Sequence, residues 1–180
     1  MMSETVVTVD NSSNNTSNNP RQVPTVKTEP GQPSPLAGIR LNVPYFRTIP
    51  GIIKLVQLGL GIICMACVSP ALVGASHWFL FVATTSFIAT LLWCFVYLLS
   101  IREALKIPIN WILTELLNTS VEAVLYMIAF IAQLSRWSSV SNAPYIASNI
   151  AGGVFGILNT LAYAAGAYFL YIEWKSNNSQ

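Results

Sequence analysis

The feature that most constrains this chain is the stretch Tyr45–Pro70, YFRTIPGIIKLVQLGLGIICMACVSP. It opens on Arg47 and Lys54 and then runs on without another charge. As a helix it has about the 20 residues needed to cross a hydrocarbon core of roughly 30 Å. Three later segments repeat its character, so the predicted spans are about 51–69, 78–99, 111–134 and 149–172. Charged residues make up 9% of the chain. A soluble domain usually carries about 25%, so the chain is read as a membrane protein. No segment shows the apolar/polar alternation of a membrane barrel strand. The fold class is therefore all-α, an integral membrane four-helix transmembrane bundle. Trp78, Trp111, Trp137, Tyr145, Tyr171 and Trp174 fall near the segment ends, where an interfacial belt places aromatic residues.

Lys and Arg set the orientation. With four spans, the N-terminal tail, the middle loop and the C-terminal tail share a side. That side holds Arg21, Lys27, Arg40, Arg47, Lys54, Arg102, Lys106 and Lys175, against Arg136 alone on the other. The bias predicts both termini in the cytoplasm. Residues 1–44 are a predicted disordered cytoplasmic tail, because their Asn-, Ser-, Thr- and Pro-rich composition buries nothing. Residues 45–175 form the four-span domain, and 176–180 a short cytoplasmic tail. Within the long tail, Pro30-x-x-Pro33 fits a minimal SH3-ligand core and Ser34-Pro35 a minimal phosphorylation site.

Several function classes are excluded. The net charge of +2 comes without a basic run, so nucleic acid is not an expected partner. Cys64, Cys67 and Cys94 all lie in apolar runs, which reads as packing rather than a disulfide framework or metal site. There is one histidine, His77, read as interfacial. No Ser-His-Asp set, phosphate loop or metal-ligand pair occurs, so no enzyme, no metal and no cofactor are expected. The outer loops, about Pro70–His77 and Ser135–Ser148, are short and free of cysteine. This differs from the large disulfide-bearing loops of claudins and tetraspanins. Recognition must then use the membrane plane, the tail or these two loops.

The first span carries a further pattern, Tyr45-Phe-Arg-Thr-x-Pro-Gly-x-x-Lys-x-x-Gln-Leu. Through Phe46, Arg47, Thr48, Gly51, Lys54, Gln57 and Leu58 it resembles the opening of the MARVEL domain. The likeness is to the chemokine-like-factor-like (CMTM) and plasmolipin-like branch and covers about residues 40–175. The resemblance implies a four-helix membrane bundle with no enzyme activity. It further implies a role in vesicle traffic, in membrane apposition, fusion or junction sites, or in stabilising partner proteins. The expected partners are the lipid bilayer and other integral membrane proteins, and the expected location is the plasma membrane, endosomal vesicles or both.

The third span holds the costly groups. A carboxylate at the centre of a spanning helix costs about 2.5–3.5 kcal/mol on insertion scales. Glu115 and Glu122 are seven residues apart, nearly two turns, so they share a face. Tyr126 and Gln133 continue that stripe, and Asn118 and Thr119 flank it. Such a stripe should face other helices. By depth, Lys54 is level with Glu115 and Asn159 with Glu122, while Gln57 and the second-span set Ser86, Thr90 and Tyr97 offer further partners. The expected role is mutual satisfaction that fixes the bundle's register. Pairing with another protein's span is one alternative, and a small proton or ion transporter or channel using Glu115 and Glu122 is another. In the fourth span, Gly152-x-x-x-Gly156 and Ala162-x-x-x-Gly166 have the spacing of close helix contacts, inside the bundle or in a homo-oligomer.

Overall fold

The computed structural model describes residues 41–101 and 110–179. The Pro30–Pro33 and Ser34-Pro35 patterns, Arg102 and Lys106 lie outside them. Four helices long and apolar enough to cross a membrane fill the described chain: α1 (Ile49–Val68), α2 (Gly74–Leu98), α3 (Trp111–Ser138) and α4 (Ile146–Asn178). Among the described residues there is no strand. The helices run up, down, up and down. α1 packs on α2 and α4, and α3 packs on α2 and α4, which gives a four-cornered bundle. One end, called here the terminal end, carries the start of α1 and the finish of α4. The far end carries the two short turns.

A seven-residue repeat explains the packing. From Ile112 to Gln133 the buried positions of α3 are Ile112, Glu115, Thr119, Glu122, Tyr126, Ala129 and Gln133, alternating steps of three and four, and Trp137 follows one turn on. In α4 they include Asn149, Gly152, Gly156, Asn159, Tyr163 and Leu170 at the same rhythm. This spacing keeps one seam of each helix facing its neighbour in a left-handed bundle. Glycine on the α4 seam lets neighbours close in. A methyl at Gly152 would collide with Val68 of α1. One at Gly156 would come within 2.8 Å of the Phe79 ring of α2, and one at Gly153 within 2.5 Å of Leu134 of α3. Gly166 rests against Gln57, Ile53 and Thr119. The small residues of the fourth span thus serve contacts inside the bundle.

The approach to α1 is folded back on the helix. Val43–Arg47 make one turn of 3-10 helix. Thr48 caps α1, its hydroxyl accepting from the Gly51 amide at 3.4 Å and donating to the Tyr45 carbonyl at 2.6 Å. A side chain at Gly51 would strike the Tyr45 carbonyl and the Phe46 backbone. The Asn42 amide then donates to the Leu98 carbonyl at 2.8 Å, tying the segment to the end of α2.

The helices outrun the predicted spans at several ends. α2 begins at Gly74, which brings Ser76 into the helix, and α3 continues to Ser138. One aromatic placement is corrected. Trp78, Tyr145 and Tyr171 face outward, but Trp137 is only 3% exposed. The extension of α3 puts Trp137 on the buried seam, four residues after Gln133, rather than in an interfacial belt.

Candidate functional site

The polar side chains of the four spans meet inside the bundle in three layers. At the terminal end, the Lys54 ammonium lies 2.5 Å from the Glu115 carboxylate. Glu115 also accepts from the Tyr97 hydroxyl of α2. The Lys54 ammonium sits 5.9 Å from the centre of the Tyr97 ring. The opposite relation of Tyr97 is with Tyr45, whose ring stacks on it at 4.2 Å. A cleft of about 490 Å³ opens beside this group, lined by Asn42, Tyr45, Tyr97, Ser100 and Glu173 among others. One turn further in, Gln57 donates to the Ala162 carbonyl at 3.1 Å. Ala162 is the first residue of the Ala162-x-x-x-Gly166 pattern, so α1 reads both the backbone and the gap that this pattern leaves.

The middle layer holds Glu122, Tyr126 and Asn159. Glu122 accepts from Asn118 at 2.8 Å, within its own helix. Thr90 and the Tyr163 hydroxyl are hydrogen bonded at 2.8 Å, and Tyr163 also donates to the Ser86 carbonyl at 3.3 Å. Tyr163 stacks on Tyr126 with ring centres 5.4 Å apart.

The expected Glu122–Asn159 hydrogen bond is not formed, and neither amide atom of Asn159 has a hydrogen-bond partner among the described residues. Helix direction explains the difference. Side chains lean toward the N-terminus of their own helix. In antiparallel α3 and α4 they therefore lean opposite ways. Glu122 leans toward Asn118 and the terminal end. Asn159 leans toward the far end and has the Tyr126 hydroxyl as its polar neighbour.

The far layer went largely unread in the sequence. Gln133, on the predicted stripe, donates to the Asn149 side-chain oxygen at 2.9 Å. The Ser76 hydroxyl lies 3.1 Å from the Gln133 side-chain oxygen, to which it can donate, and accepts from the Trp137 indole at 3.0 Å. The Asn149 amide donates to the Tyr145 carbonyl at 2.9 Å. These four side chains join α2, α3 and α4 and are all buried. The signal available was weak, because Ser76 and Trp137 lay outside the apolar cores of their segments and Asn149 stood at the edge of its own.

Between the middle and far layers the interior is apolar. Cys64, Phe79, Val82, Ala83 and Ala129 are fully buried there. Cys64 only points its thiol at the Gly152 carbonyl, 3.9 Å away. All three cysteines are free thiols. Among the described residues no group of His, Cys, Asp and Glu could hold a metal ion. The first-span pattern divides by role. Thr48 and Gly51 build the entry turn and Lys54 and Gln57 point into the bundle, whereas Arg47 stays exposed. Phe46 packs edge-on to Tyr45, with ring centres 5.4 Å apart. Leu58 is half-buried.

Comparison with known proteins agrees with this arrangement. Residues 45–169 match the family model MARVEL, described as a membrane-associating domain. Plasmolipin of Danio rerio is 30% identical over 138 residues, covering 75% of this chain and 78% of the relative. Plasmolipin of Mus musculus is 27% identical, covering 89% of this chain and 91% of the relative. The CKLF-like MARVEL transmembrane domain-containing protein 8 of Homo sapiens is 26% identical, covering 76% and 80%. No solved structure matches the chain. Neither the family description nor these names is that of an enzyme. The four-span bundle, its entry turn and the match over most of its length place this chain in the MARVEL family of membrane proteins.

Proposed function

We propose that this protein is a non-catalytic membrane organiser, associating with other integral membrane proteins and with lipids in vesicle traffic or where membranes meet, fuse or form junctions. One observation carries this reading: the charged and amide side chains Lys54, Gln57, Glu115, Glu122, Gln133, Asn149 and Asn159 are buried inside the bundle, and the outward faces are mainly apolar. Ile52, Leu55 and Ile62 on α1, and Leu117, Val121, Val124, Ile128 and Ile131 on α3, are exposed. A bundle of this kind offers its neighbours a lateral apolar surface and short loops. The Lys and Arg bias supports cytoplasmic termini. That orientation would put the tail with Pro30–Pro33 within reach of cytosolic partners at the plasma membrane or endosomal vesicles.

The apolar layer of Cys64, Phe79, Val82, Ala83 and Ala129 argues against transport through the bundle. It separates Glu122 from the far layer, and a charge crossing it would meet no polar group. Purified protein in liposomes loaded with a pH indicator tests this. The organiser reading predicts no flux above protein-free liposomes. Flux that Glu122→Gln abolishes would replace it with the transporter reading. Proximity labelling from an N-terminal tag provides the positive arm, with integral membrane and vesicle-traffic proteins enriched over a generic membrane-anchored control.

A further inference from the structure

We infer that the entry turn is a strap that seals the Lys54–Glu115 pair from the terminal end, with the Tyr45 ring as its seal and the Asn42 amide as its anchor. Glu115 is 0% exposed and Lys54 6%. Neither lines the cleft of about 490 Å³ that opens beside them. Tyr97 stands between: it lines that cleft and donates its hydroxyl to Glu115. On another side, the crevice that the two charges share with Gly166 and Leu170 has about 10 Å³ of room, barely one water. Tyr97 lies in the last turn of α2, where a helix frays unless something holds it. Two contacts from the entry turn hold it. The Tyr45 ring lies parallel to the Tyr97 ring, with 3° between planes and 4.2 Å between centres. The Asn42 amide donates to the Leu98 carbonyl at 2.8 Å, one residue beyond Tyr97.

The turn keeps its own shape but is lightly held. Thr48 donates to the Tyr45 carbonyl, and Gly51 leaves that carbonyl room. No residue of Val43–Arg47 is fully buried. Segments with few buried contacts open locally, without unpacking a helix. Opening this one frees the Tyr97 ring and with it the neutral partner of Glu115. It also admits water to two charges whose attraction weakens as water enters. Residues 1–40 join the described chain at Leu41, next to the Asn42 anchor. Whatever engages that tail therefore pulls on the strap before it reaches any helix. The strap couples the tail to the ion pair between α1 and α3.

Cys94 reports on the seal. It lies on α2 three residues before Tyr97, it is buried, and the charges of Lys54 and Glu115 both bear on its thiol. Purified full-length protein in detergent micelles is treated with a small charged methanethiosulfonate, which stays in water. Peptide mass spectrometry follows the modification of each cysteine. Cys64, buried in the apolar layer, and Cys67, half-buried near the far end, are internal controls. Tyr45→Ala removes the ring, and Asn42→Pro removes the amide donor. Each should speed Cys94 modification by about tenfold or more, as loss of a local closure does. Tyr45→Phe keeps the ring and should match the unsubstituted protein. Cys64 and Cys67 should keep their rates in every variant. An unchanged Cys94 rate in Tyr45→Ala would overturn the seal, and an unchanged rate in Asn42→Pro the anchor. Tyr45→Phe as fast as Tyr45→Ala would overturn the role of the ring. Cys64 rising together with Cys94 would overturn the strap itself, because the turn would then hold the whole bundle together rather than seal one end.

Discussion

The Lys54 ammonium and the Glu115 carboxylate lie 2.5 Å apart inside the bundle, on helices α1 and α3 that stand at opposite corners. Neither helix packs extensively on the other, so the pair spans the diagonal. Tyr97 closes the group from α2. Two charges in a membrane protein are each costly alone. Joined to each other they fix which turn of α1 meets which turn of α3.

The far layer should resist substitution more than its unremarkable residue types suggest. Gln133→Leu removes hydrogen bonds to Asn149 and one of the two acceptors of the Ser76 hydroxyl at once, the other being the Asn149 side-chain oxygen. Hydrogen bonds in membrane bundles average about 0.6 kcal/mol, with a maximum near 1.7. Loss of a buried network should therefore cost about 1–3 kcal/mol. Ser120→Ala, whose hydroxyl bonds only the Leu116 carbonyl of its own helix, should change stability by less than about 0.5 kcal/mol. Thermal unfolding in detergent compares the two. Equal effects would mean that the far layer does not hold the bundle together.

Two glycines of α1 should behave oppositely. At Gly51 a methyl would run into the backbone of the entry turn, whereas at Gly59 nothing lies within 4 Å. Gly51→Ala should displace the Val43–Arg47 turn and lower the thermal midpoint. Gly59→Ala should be neutral or stabilising by up to about 1 kcal/mol through helix propensity. Limited proteolysis ahead of Tyr45 gives a second readout, with faster cleavage expected in Gly51→Ala only.

What was legible in the sequence followed from costs that lipid imposes. Uncompensated charge and polar backbone are excluded from a bilayer, so four apolar segments had to become four helices. For the same reason Glu115 and Glu122 had to lie on an inward seam. The Lys54–Glu115 pairing came from counting depth along two parallel-running helices, whose side chains lean the same way. The same counting failed for Glu122 and Asn159 because α3 and α4 run oppositely. The Ser76–Gln133–Asn149–Trp137 layer was hidden for a different reason. Serine, asparagine and tryptophan are ordinary residues at a membrane boundary, and only the extension of α2 to Gly74 and α3 to Ser138 turns them into one buried cluster. The entry turn was visible only as a family-like pattern. Its physical basis, a glycine under the Tyr45 carbonyl and a threonine cap, is a set of through-space contacts that no residue pattern spells out.

Orientation gives a prediction in cells. Epitope tags at either terminus should resist protease added to intact cells, while a tag near Asn142, in the turn between α3 and α4, should be cleaved. Cleavage of a terminal tag at the cell surface would reverse the orientation drawn from the Lys and Arg bias.

The central claim is that the buried charges of the spans, Lys54 and Glu115, are paired within this chain. A double-mutant cycle on Lys54 and Glu115 tests it most directly, with thermal unfolding in detergent measured for Lys54→Met, Glu115→Gln and the double variant. Breaking a buried pair from one side typically costs about 3–5 kcal/mol. Here Lys54 stands near the terminal end and could turn toward water, which reduces the loss. The account predicts that the double variant is less destabilised than the sum of the two single variants by at least about 1 kcal/mol. Single effects that add to within about 0.5 kcal/mol would contradict it, and would turn the polar seam of α3 toward something outside this chain.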